Sequence, residues 1–429
     1  MAQRGPSKAT LRDTLAFTFD VALPTLGKGV LIRRKGVLAL ADRLEADERA
    51  VQCLSRLRSR YGDRPLQLKL PGPPRVVILS PADALEVLDR TPPFLAASDE
   101  KQSALAHFEP KVSLASRGMD RRKRRAFNEE VLASEQETHP CAQAFSGVVD
   151  EEIGALLLPP GGTLDWDTFS QAWFRVVRRI VLGDGARDDT KLTHQLAELR
   201  KTANWAFLAP RRKGLLKAFY ARLANHLERA EPGSLAKRVA AAESEGDAAA
   251  HQVAHWLFAY DPAGMAVFRA LALVTSDSHA YETARQARSG DDLHFFRACM
   301  MESLRLWPTT PAILRQTGTE VDLNGCALEK DSGVIIFAPF FHRGPCVPDI
   351  AHRFAPGLWQ EGKTVDARGI VPFSAGPGRC PARHLVLMTG AMALRRLMEQ
   401  QWRENSGAIE NTDELPATLT PYRLTFGLR

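Results

Sequence analysis

The chain contains no C-x-x-C pair. Its six cysteines, Cys53, Cys141, Cys299, Cys326, Cys346 and Cys380, stand singly along 429 residues. That spacing argues against a zinc site or a thioredoxin-like motif. Six thiols are too sparse to staple a chain this long, so a reducing cytoplasm is expected. No stretch offers the ~18 uninterrupted apolar residues of a membrane span. The nearest, LAFTFDVALPTLGKGVLI, holds Asp20, Pro24 and Lys28. This amphipathic segment is expected to pack on the body of the fold, with membrane skimming as the alternative; no stable membrane anchor is expected. The opening MAQRGPSKATLRD lacks the charged-then-apolar order of a signal peptide. Internal repeats and low-complexity segments are absent, and no large excess of one charge exists. The net charge is +7, with 45% hydrophobic and 25% charged residues. Solvated surface arginine accounts for that balance, and a nucleic-acid partner is not expected.

The patterns that are present read as a helix-rich chain with a little sheet at both ends, mainly α with small β-sheets (α+β). Residues 41–61 carry apolar positions at helical spacing. LQLKL and RVVILS read as strands around a PGPP turn. Ser80 with Asp83 suggests a capping box opening the helix PADALEVLD. The pattern then stays helical to about residue 320, including a basic helix over 120–133 and helices over 190–202 and 214–229. A long apolar helix, HQVAHWLFAYDPAGMAVFRALALV, is interrupted by Asp261, Pro262 and Gly264. LHFFRACMMESLRLW is a further helix, and strand character returns in GVIIFAPF and ATLTPYRLTFGL.

Three constellations point to chemistry. In PFSAGPGRCPARHLVL, Cys380 follows a turn whose Gly376 and Gly378 permit close backbone approach. Pro381 and the apolar run after it predict a helix start, where free N–H groups and the dipole favour thiolate. Such a thiolate attacks an electrophile or ligates a metal; a buried structural cysteine is the plainer alternative. In ACMMESLRLW, Glu302 and Arg305 lie one helical turn apart amid apolar residues. A buried pair of this kind needs further hydrogen-bonding partners, and Arg353, in AHRFAPGLW, is a candidate.

In this order, the Glu-x-x-Arg helix, the HRF segment and the cysteine loop resemble the cytochrome P-450 superfamily of haem-thiolate enzymes, bacterial soluble type. The resemblance implies a single catalytic domain over 1–429, with haem b between the long central helix and the cysteine-loop helix. Cys380 would be the axial iron ligand, with Phe373 near its sulfur and Gly376 as the turn glycine. Glu302, Arg305 and Arg353 would form a structural triad. Arg315 would meet one haem propionate, and Arg121 or Arg125 another, with the neighbouring basic residues facing an acidic electron-transfer protein. Thr309, Thr310 and Ile313 would line the substrate pocket with Phe108, Met265, Trp205 and Phe207, residues that would equally serve as core.

Two departures from the family pattern bear on the reaction. Gly378 and Ala382 stand where the family has a basic residue and a glycine, and Arg379 is displaced by one, which puts the propionate contact from this loop in doubt. In the long helix, Ala263 and Gly264 match, but Ala266 and Val267 replace the acid and threonine. The proton-delivery pair is absent, and a register four residues earlier lacks it too. Asp261 would act through water or satisfy the backbone opened by Pro262. The expected activity is monooxygenation of a small apolar or aromatic molecule, using dioxygen and electrons from a ferredoxin-type donor. The same fold doing peroxide-driven or redox-neutral chemistry (a peroxygenase, isomerase or dehydratase) is the alternative. A haem-binding sensor or carrier is the non-enzymatic one.

Overall fold

A computed structural model describes residues 5–156, 162–206, 208–242, 246–290, 292–359 and 368–428. Phe207 lies outside them. The architecture is mainly helical with small sheets, as the sequence pattern predicts. The chain divides into two compact units, each assembled from segments distant in sequence.

The first unit comprises Met1–Lys101, Leu304–Cys380 and Asp413–Thr420. The expected strands in LQLKL, RVVILS and GVIIFAPF meet here in one six-stranded sheet, whereas the expected C-terminal strand does not join it. Its centre is Arg75–Val77, antiparallel to Leu66–Leu68 and parallel to Gly333–Phe337, which pairs antiparallel with Ala312–Thr317. A short hairpin, Val321–Leu323 with Cys326–Leu328, turns through Asn324 and Gly325. Both turn residues have positive φ, as a two-residue hairpin of this type needs. The core joins the sheet to Leu54 and Leu57 of the helix Ala46–Tyr61. The helix expected over 41–61 is two helices, because Glu45 is left-handed (φ 50°) and separates Lys35–Arg43 from Ala46–Tyr61. Phe17 and Val21 of the N-terminal stretch reach the same core, so that stretch does pack on the fold, but along one face only.

The second unit comprises Gln102–Ser303, Pro381–Thr412 and Pro421–Arg429. Helices Ala142–Gly154, Trp166–Leu182, Asp247–Ser276 and Arg383–Leu397 pack together. An antiparallel sheet of Trp402–Glu404, Thr425–Leu428 and Thr163–Asp165 completes the unit. The long helix Asp247–Ser276 is continuous through Pro262, contrary to the expected interruption. Proline removes one helix hydrogen bond, but packing holds the backbone on both sides of it. Trp173 donates its indole N–H to the Tyr260 carbonyl at 2.8 Å. The same indole fills the space over Gly264, where a Cβ would stand 2.6 Å from Trp173 Cδ1. By length and mean hydropathy Ala248–Ser276 would suit a membrane span, but 83% of its apolar window is buried within the protein, as befits a core helix.

Candidate functional site

The cysteine loop is built from its backbone outward. Ser374 and Gly376 both have positive φ. At Gly376 (φ +58°) a Cβ would come within 2.7 Å of Asp89 Cα, so the loop requires glycine there twice over, by dihedral and by space. The Ser374 N–H donates to Val371 O and the Arg379 N–H to Gly376 O. The Cys380 N–H donates to Phe373 O at 2.9 Å, which closes the loop and fixes the cysteine backbone. The helix beyond begins at Arg383, later than predicted, with Pro381 and Ala382 in the preceding turn. Cys380 therefore lies just outside the first helical turn rather than at its head.

Cys380 is half-buried. Cys53, Cys299 and Cys326 are fully enclosed. Burial pushes all five other thiols up, Cys53 to about 11, which makes them unreactive. Beside the loop stands Arg315, buried on the strand Ala312–Thr317, with Nη2 donating to Ser374 Oγ at 3.2 Å. That guanidinium occupies the space over Gly378, 2.5 Å from where a Cβ would be. Cation and thiol thus belong to one small structure. Among the described residues no group of three His, Cys, Asp or Glu side chains is arranged to hold a metal ion. An iron bound at Cys380 would have to bring its remaining donors with it, as a porphyrin does, so the donor set fits haem.

The Glu-x-x-Arg helix, His294–Leu306, stabilises this loop at a distance. Arg305 is fully buried and donates to three carbonyls, His342 O (3.2 Å), Ile350 O (3.0 Å) and Arg353 O (2.7 Å). His342 Nε2 in turn accepts the Val371 N–H at 2.9 Å, at the entrance of the cysteine loop. Burial, reinforced by the Arg305 charge, lowers the His342 pKa to about 3 and keeps the ring neutral. Of the predicted triad, Arg353 meets Arg305 through its carbonyl. Its exposed guanidinium pairs with Asp413 at 2.9 Å, because His352-Arg353 lies at the surface of its unit. Glu302 is completely buried, as expected for the pair. His342 was missed in the sequence, where FFHRG offers no spacing signal; only the fold brings it to residue 371.

On the long helix the accessible residues include His255, Phe258, Ala259 and Pro262, which recur at helical spacing along one stripe. Ala263, Ala266 and Val267 are at most 3% exposed. Val267 packs towards Gly390 and Met300 and has no surface for a substrate, which corrects the register that placed it over the reacting centre. Gly264 is explained by Trp173 rather than by a ligand. The Asp261 carboxylate accepts from Arg200 Nη2 at 2.9 Å in a largely buried ion pair, a partner that the sequence reading did not foresee. Arg200 also lies over the Phe258 ring. Phe108 and Met265 are core residues: Phe108 meets Phe258 edge-on and has no exposed surface. Thr309 is half-buried with its carbonyl bound by Arg33, Thr310 is exposed, and Ile313 joins the sheet core. Trp205 is 48% exposed rather than pocket-buried. Arg125 is engaged by Glu129 at 2.5 Å. Arg121 donates to Ser113 O, and burial together with Arg125 lowers its pKa.

Also unforeseen is an acid–base pair of the buried Glu109 with the half-buried His255, Nδ1 at 2.7 Å, separated by 146 residues. No local pattern could reveal it. Next to it Tyr220 donates to Phe108 O and meets His251 Nδ1.

Residues 282–424 match the protein family described as Cytochrome P450, a stretch that holds Glu302, Arg305, Arg315 and Cys380 but not the long helix. Among similar proteins, drimenol monooxygenase of Persicaria hydropiper is 30% identical over 126 residues, 28% of this chain and 25% of that protein. Cyclooctat-9-en-7-ol 5-monooxygenase of Streptomyces melanosporofaciens is 28% identical over 113 residues, 26% of this chain and 24% of that protein. Cytochrome P450 4c3 of Drosophila melanogaster is 27% identical over 109 residues, 25% of this chain and 20% of that protein. The matches thus span a quarter or less of the length of these relatives.

Proposed function

We propose, from the match of residues 282–424 to the cytochrome P450 family, that the chain is a haem-thiolate monooxygenase acting on a small apolar or aromatic molecule with dioxygen and electrons from a ferredoxin-type donor. The observation that carries this reading is the cysteine loop, a single half-buried thiol on a glycine turn beside a buried arginine. Haem b, when bound, supplies the redox chemistry that a thiolate ligand directs towards O–O cleavage. Cys380 would ligate the iron, its backbone held by Phe373 O. Arg315 and Ser374 would meet one propionate. For the second, Arg121 or Arg125 is the candidate that the family resemblance implies. Ala259 and Pro262 would present an apolar surface to substrate. All six cysteines are free of disulfides, which supports a cytoplasmic setting.

One observation favours a second reading. The half-buried carboxylate beside Pro262 on the long helix, Asp261, is held by Arg200, and Ala266 and Val267 carry neither acid nor hydroxyl. Protons would then have to come from water or from the substrate itself, or the enzyme would use peroxide or no oxidant. Two measurements decide. The reduced carbon monoxide complex is expected to show thiolate-type absorption, lost in Cys380→Ser; a variant with an unchanged spectrum would exclude Cys380 as the ligand. Product formed per electron consumed, with and without oxygen, is expected to demand both. Turnover in the absence of oxygen and reductant would replace the monooxygenase with an isomerase or dehydratase, and turnover sustained by added peroxide alone would mark a peroxygenase.

A further inference from the structure

The N-terminal stretch presents more apolar surface than folding uses. The helix Leu11–Phe17 continues through a π turn, Thr18–Ala22, into Leu23–Gly27. Phe17 and Val21 face the core. The opposite face carries Leu11, Leu15, Phe19, Leu23 and Leu26, followed by Val30, each between 47% and 62% exposed. Four of these recur every fourth residue. In an uninterrupted α-helix the direction would drift by about 120° from Leu11 to Leu23. The π turn, with its wider i→i+5 closure, rotates less per residue and counters that drift. Local geometry therefore keeps the apolar residues aligned as a stripe about 24 Å long. Leu40 and Leu44, one turn apart, add to the exposed apolar surface of the same segment.

The charges of this segment are sorted. Its exposed charged residues over 5–44 are Lys8, Arg12, Lys35 and Arg43, all basic, with one exposed acid, Glu45, directly beyond Leu44. Its acids are only partly exposed: Asp13 is held by Thr10, Tyr61 and Arg60, Asp20 lies 3.6 Å from Arg56, and Asp42 is half-buried. An aligned apolar stripe with a cationic rim is the pattern of a helix lying in an anionic lipid interface. A second copy of the chain would bring an equally basic rim against this one. We propose that residues 11–44 form a reversible docking surface for an anionic membrane, with Phe19 and Leu23 entering the acyl boundary and Arg12 and Arg43 meeting headgroup phosphates.

The test uses the full chain and flotation with vesicles of phosphatidylcholine alone or mixed with phosphatidylglycerol. Binding to the mixed vesicles is expected, weaker by about tenfold or more on phosphatidylcholine and in high salt. Phe19→Asp with Leu23→Asp is expected to abolish it without changing thermal melting, since both side chains are exposed. Arg12→Glu with Arg43→Glu is expected to remove only the preference for anionic lipid. Absence of binding to either vesicle would overturn the proposal. So would a solution dimer by light scattering that Phe19→Asp dissociates, because the stripe would then be covered by a second copy.

Discussion

Gly376 shows how much of the cysteine loop is set by single residues. Its φ of +58° suits glycine, and the backbone of Leu88 and Asp89 occupies the place of a side chain. Gly376→Ala must strain the turn or displace the helix Pro81–Asp89, an effect of about 1–3 kcal/mol. The strain falls on the loop that carries Cys380. Thermal melting is expected to drop modestly, while retention of haem on gel filtration falls sharply. Full haem retention would show that the loop tolerates a Cβ. At this scale the sequence was informative where chemistry demands a residue type in a fixed local frame. Cys380, Gly376 and Arg305 could be read because turns and helical spacing are local. Val267 and Phe108 could not, because which face of a helix or loop keeps accessible surface depends on neighbours such as Gly390 and Phe258.

At the scale of elements, apolar periodicity located the helices well, and boundaries failed where one residue broke the pattern, as at Glu45. Pro262 misled in the opposite sense, because a helix held by Trp173 and buried on most sides tolerates the lost hydrogen bond. Asp261, one residue earlier, has a role set by tertiary contact alone, 61 residues from Arg200. Removing Asp261 takes one carboxylate from Arg200, which also interacts electrostatically with Glu109, at a cost of about 1–3 kcal/mol. Asp261→Ala is therefore expected to lower stability by that amount, and Arg200→Met on the same background to recover most of it, since methionine can still cover Phe258. Product per electron in the double variant should equal that of the parent. A stable double variant that consumes electrons without product would make Asp261 a proton donor after all.

For the whole molecule, buried histidines set the response to pH. Burial, with help from Arg305, depresses His342 to about 3, and burial also lowers His139 and His107. Between pH 6.5 and about 3 the unfolded chain binds a proton at residue 342 that the folded chain refuses, so stability falls as pH falls through that window. One group contributes up to about 1.4 kcal/mol per pH unit, on the order of 4 kcal/mol in all. The Glu109–His255 pair acts on the other side. Although burial works against it, the Glu109 carboxylate raises the His255 pKa, and burial raises that of Glu109. The His255 contribution is complete below pH 6.5 and is lost as pH rises through its folded value, whereas the raised Glu109 already costs stability as pH rises above 4.5. The two sets of groups together place maximal stability near neutrality. Urea denaturation across pH should show His342→Gln flattening the acidic limb, because glutamine still offers an acceptor to the Val371 N–H without taking a proton. His255→Gln should flatten the alkaline limb alone. An acidic limb of unchanged slope in His342→Gln would mean that residue 342 does not remain neutral in the fold, and the link from Arg305 to the cysteine loop would need another account.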